Sequence, residues 1–78
     1  MTQEGLGPED EARARAQFKI SLAAARVNAG LTQAEAARAL GISNKTVVRY
    51  ENGACKPPDA MLERMAKLYG VPPGMIRL

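Results

Sequence analysis

Between Ser43 and Arg49 one short run carries two hydroxyls (Ser43, Thr46), an amide (Asn44), an ammonium (Lys45) and a guanidinium (Arg49). If Ser43 caps a helix that continues to Gly53, Val47 and Tyr50 share one face. Asn44, Lys45, Thr46, Val48 and Arg49 then fall on the other, with no acid before Glu51. A face of that kind donates hydrogen bonds and carries positive charge, so its chemistry is to hold anions rather than to break bonds. Other chemistries are poorly supplied. The chain has no His and one Cys, Cys55, whereas structural zinc sites take four Cys or His ligands and an internal disulfide needs two thiols. The commonest general base is missing, and no nucleophile–base pairing is evident. An enzyme is not expected, and the reading includes no metal and no cofactor.

The charge distribution agrees with an anionic partner. The net charge of +3 conceals an acidic leader: Glu4, Glu9, Asp10 and Glu11 precede all eleven bases, so residues 12 to 78 carry a net +7. No apolar run approaches the roughly 20 residues that span a bilayer, and the start lacks the order of a secretion signal. A cytoplasmic protein without a membrane association is the expectation.

The elements that must position that face follow from length and punctuation. Seventy-eight residues, 46% hydrophobic but 4% aromatic, suit one small all-α domain with an aliphatic, Ala-rich core. Residues 1–7 read as a disordered leader. Pro8 opens a first helix whose sequence meets no breaker until Gly30, with Phe18, Leu22, Ala25 and Ala29 on one face. Thr32 and Glu35 form the capping box T-Q-A-E of a second helix that stops at Gly41. A third runs from Ser43 to Gly53, and a fourth opens at Pro58 or Asp59 and closes at Gly70. Its apolar stripe is Met61, Leu62, Met65, Ala66 and Leu68. The end, VPPGMIRL, offers a short turn or helix with Met75, Ile76 and Leu78 apolar.

Two helices joined by Gly41-Ile42-Ser43 make the most specific feature. A sharp reversal needs a residue that accepts positive φ, which Gly41 supplies. A close crossing needs a small side chain, and Ala37 lies four residues before that glycine. Ala36, Leu40, Ile42, Val47 and Tyr50 are spaced to lock the pair.

On these residues the stretch TQAEAARALGISNKTVVRYENG resembles the helix-turn-helix of Cro and phage repressors, the xenobiotic-response-element type. The likeness covers roughly residues 17–78, leaving 8–16 as an extension of helix 1. The resemblance implies a compact five-helix bundle of the lambda-repressor-like type that binds double-stranded DNA, with helix 3 (about 43–52) in the major groove. It further implies a transcriptional regulator, a repressor in the first instance, of bacterial, phage or mobile-element origin. The implied base contacts are Asn44, Lys45, Thr46, Val48 and Arg49. Asn can pair with adenine, and Lys or Arg with guanine O6 and N7. Val48 has two readings, a contact to a thymine methyl or a shoulder of the core. The implied phosphate contacts are Gln33, Ser43, Asn52, Lys56 and Arg26. Arg26 and Glu51 would pair to brace helix 3 on helix 1, and Ala37, Gly41 and Val47 would set the packing of the motif.

A single half-site contact seldom gives enough affinity, so a homodimer on a palindromic operator is expected. Met75, Ile76 and Leu78 are either its surface or a lid on the monomer's own core. The alternative function is an antitoxin or accessory module that uses the same fold to bind a protein partner.

Overall fold

The computed structural model describes residues 19–78. The leader, the proposed helix start at Pro8 and Phe18 lie outside them. The described chain begins with a two-residue strand, β1 (Ile20–Ser21), followed by α1 (Leu22–Asn28), α2 (Gln33–Leu40), α3 (Asn44–Glu51) and α4 (Asp59–Tyr69). One 3-10 turn (Pro73–Met75) then leads into β2 (Ile76–Arg77).

Two expectations are corrected here. The first helix does not run unbroken to Gly30, because residues 20 and 21 are extended and Ser21 caps α1, its Oγ accepting from Ala24 N at 3.1 Å. An extended cap residue whose side chain takes up a free N–H is a favourable helix start, and it outweighs the absence of a breaker. The second correction concerns the helix count: among the described residues there are four α-helices and a small strand pair, not five helices. Pro72 and Pro73 contribute no backbone donor, so residues 73–75 close one turn through Met75 N to Pro72 O at 3.0 Å. The chain then extends and pairs in parallel with β1, Ile20 opposite Ile76 and Ser21 opposite Arg77. This ladder ties the C-terminal end of the described fold to the entrance of α1.

The core is small and aliphatic. Leu22, Ala25, Ala36, Leu40, Met65, Ala66, Tyr69 and Ile76 form one buried cluster drawn from α1, α2, α4 and β2. Half-buried Ile42, Tyr50, Met61, Leu62 and Leu68 pack around it. Ala29, placed on the apolar face of helix 1 by periodicity, is exposed. Tyr69 is buried although the expected stripe of α4 omitted it. Ile76 lies in the monomer's own core at 5% exposure, whereas Leu78 stays 56% exposed. No helix among the described residues is long and apolar enough to cross a membrane.

Candidate nucleic-acid interface

The interface is assembled around the α2–α3 corner. Thr32 Oγ1 accepts from Glu35 N at 3.0 Å, and the Glu35 carboxylate accepts from Thr32 N at 2.8 Å. Hydrogen bonding to Thr32, from its backbone N–H first of all, holds the Glu35 carboxyl below the ordinary glutamate range. At the other end of α2 the chain turns in the left-handed region at Gly41 (φ 72°). Ile42 N reaches back to Ala37 O at 3.0 Å and Gly41 N to Arg38 O at 3.3 Å, the paired bonds of a Schellman ending. Ser43 then caps α3, its Oγ accepting from Thr46 N at 3.1 Å. Ala37 and Val47 are both buried, at 4% and 0% exposure, so the two helices meet on small and β-branched side chains.

That packing fixes which face of α3 is outward. Asn44, Lys45 and Arg49 are exposed, Thr46 and Val48 half-buried. The hydroxyls of Ser43 and Thr46 lie 2.9 Å apart and bond to each other, which leaves Asn44, Lys45 and Arg49 as the side chains of this face without a hydrogen-bond partner among the described residues. Asn52 is exposed and its Oδ1 accepts from Ala54 N at 2.9 Å, which fixes the exit from α3 and leaves its amide N–H groups outward. Lys56 is exposed beyond it, on a shallow cleft lined also by Tyr50, Gly53, Cys55, Pro57 and Leu78. Cys55 is a free, exposed thiol.

Arg26, Gln33 and Glu51 come from three helices and meet. Arg26 Nε donates to Glu51 Oε2 at 2.6 Å and Nη2 to Oε1 at 3.3 Å, with the two side chains 13% and 7% exposed. Hydrogen bonding to Glu51 raises the Arg26 pKa further above its already high value, so the guanidinium stays charged. Arg26 Nη1 also donates to Leu31 O at 2.8 Å. The same Glu51 Oε1 accepts from Gln33 Nε2 at 3.0 Å, so the one acid of α3 is enclosed by an arginine and an amide. The Gln33–Glu51 bond was not anticipated from sequence. Its partners are 18 residues apart, and only the shared position of Gln33 at the first turn of α2 and Glu51 at the last turn of α3 could have suggested it. Tyr69, buried nearby, has a hydroxyl with no partner among the described residues, and burial pushes its pKa up.

Two short helices at a left-handed glycine corner, the second offering an uncompensated polar and basic face, define a helix-turn-helix. The chain belongs to the helix-turn-helix domain family, which matches residues 17–78. It is similar to the cryptic phage CTXphi transcriptional repressor RstR of Vibrio cholerae, with 36% identity over 55 residues, 70% of this chain and 50% of that protein. It is also similar to the multiprotein-bridging factor 1c of Arabidopsis thaliana, with 30% identity over 69 residues, 88% of this chain and 47% of that one. The chain thus spans about half the length of the curated relatives it matches. No solved structure matches.

Proposed function

We propose that this chain binds double-stranded DNA sequence-specifically, with α3 in the major groove, and regulates transcription as a repressor. The observation that carries the reading is the outward set Asn44, Lys45 and Arg49, free of partners among the described residues, beside a buried Val47. Asn44 suits the N7 and N6 edge of adenine, and Lys45 and Arg49 suit guanine. Val48, half-buried, would touch a thymine methyl with its exposed edge. Gln33, Ser43, Asn52, Lys56 and Arg26 would hold the backbone, with Ser43 offering what its mutual bond with Thr46 leaves free. The kinship with a phage transcriptional repressor supports this reading and a bacterial, phage or mobile-element origin.

A homodimer on a palindrome follows from the affinity argument. With Ile76 committed to the monomer core, exposed Leu78 and half-buried Met75 are the apolar side chains left at that end for a second copy. A protein-bridging role is the second reading, favoured by the kinship with a multiprotein-bridging factor. Selection of bound fragments from random duplexes, followed by gel shifts, separates the two. The DNA reading expects an enriched sequence bound well over tenfold more tightly than its scramble. Equal binding of both, together with stoichiometric co-purification of a protein, would support the bridging role instead.

A further inference from the structure

The Glu51 carboxylate has a second task on this surface. We propose that Glu51 is a positioning residue for DNA backbone binding: it holds the Gln33 amide so that the remaining N–H of Nε2 faces outward at the first turn of α2, ready for a phosphate oxygen. The inference rests on the DNA-binding reading above and adds to it the way one contact is prepared.

The geometry carries the argument. An amide nitrogen has two N–H groups, and one of those on Gln33 is spent on Glu51 Oε1 at 3.0 Å. Gln33 is half-buried, the side chain of Glu51 is 7% exposed, and the carboxylate is itself pinned by Arg26 at 2.6 Å. Arg26 also grips Leu31 O at 2.8 Å, two residues before Gln33. The end of α1, the α1–α2 loop and the last turn of α3 therefore converge on a single side chain. A free glutamine rotates about three bonds and must be ordered when a phosphate arrives. One tethered in advance has that ordering already done, and the gain appears as affinity. Arg26 has a further consequence. A bare carboxylate at this place would repel a phosphate, and its pairing with a guanidinium cancels that repulsion while leaving the oxygens free to accept from Gln33.

A double-mutant cycle on duplex DNA carrying the selected sequence tests it, at a temperature where circular dichroism shows every variant folded. In the wild-type background Glu51→Ala is expected to weaken binding roughly tenfold, the scale of one hydrogen bond to a charged group. In a Gln33→Ala background the same change should cost less than about twofold, because its effect passes through the missing amide. Glu51→Gln keeps an acceptor oxygen for Gln33 and should recover most of the loss. Gln33 is neutral, so Gln33→Ala should leave the slope of log K against log salt unchanged, whereas Lys56→Ala should lower it by about one. Should Glu51→Ala fail to fold, the wild-type chain still decides. In nuclear magnetic resonance one Gln33 side-chain N–H should be shifted and protected before DNA is added, and the other should move on binding. Costs that multiply across the cycle, or two Gln33 N–H signals that behave as in a free amide, would overturn the positioning role. Wild-type binding without sequence preference would instead remove the DNA reading on which it stands.

Discussion

At the scale of single residues, the side chains of α3 divide by what they have left to give. Ser43 and Thr46 spend their hydroxyls on each other and on the helix cap, whereas Asn44, Lys45 and Arg49 remain unengaged among the described residues. Lys45→Ala should therefore lose discrimination at one or two base positions, by about 1–3 kcal/mol, with other positions unchanged. Gln33→Ala should weaken selected and scrambled duplexes by the same factor. Affinities measured across a panel of single-base variants distinguish these, and identical profiles for both would misplace the recognition helix. The outward identity of Asn44, Lys45 and Arg49 was legible because Val47 and Tyr50 fix the inner face and no acid intervenes before Glu51. The bond from Gln33 to Glu51 was not legible, because a contact between side chains 18 residues apart leaves no local pattern.

Among the elements, the α2–α3 corner depends on one backbone conformation. A Cβ at Gly41 would meet nothing within 4 Å, so a substitution there is penalised by its φ of 72° and not by crowding. Gly41→Ala should cost about 1–2 kcal/mol, with Gly41→Asn milder, since Asn visits this region more readily. That cost corresponds to a fall in Tm of about 4–8 °C per kcal/mol for a domain of this size, read by thermal melting. The capping box of α2 adds a pH dependence. Glu35 has a lowered pKa when folded, so its contribution is complete above the unfolded value and is lost as pH falls through the lower, folded one. Melting temperature should accordingly drop on acidification through that window, and by less in Glu35→Gln. An equal drop in both proteins would detach the effect from the cap. The capping box and the glycine corner were legible because each is a local signal of residue type at fixed spacing. The start of α1 was missed because KISLAAAR contains no Gly or Pro, and the extended Ile20–Ser21 is held by a partner at residues 76 and 77, beyond the reach of periodicity.

Across the whole molecule, a fold with few core side chains is closed by a strand pair of two residues each. Ile76 is buried in the same cluster as Leu22 and Tyr69, and its backbone pairs with Ile20. Ile76→Ala should cost about 2–5 kcal/mol, and thermal melting should show a fall of order 10 °C or more. A melting curve superimposed on the wild type would mean that the C-terminal closure contributes little. Two-residue strands carry no recognisable alternation, which is why VPPGMIRL reads as a short turn or helix, whereas the turn is followed by a strand, Ile76–Arg77. Helices α2, α3 and α4 follow from local signals, caps, glycine stops and apolar stripes; the closure follows from contacts between segments far apart in sequence, residues 20–21 and 76–77.

The central claim is that α3 meets base edges in the major groove. Methylation interference with dimethyl sulfate on the selected duplex measures this most directly, since the reagent marks guanine N7 in the major groove and adenine N3 in the minor groove. The account predicts interference at guanine N7 within the selected half-site, and its loss at one such guanine when Lys45 is replaced by alanine. Interference confined to adenine N3, or the same guanine pattern in wild type and Lys45→Ala, Arg49→Ala alike, would contradict it.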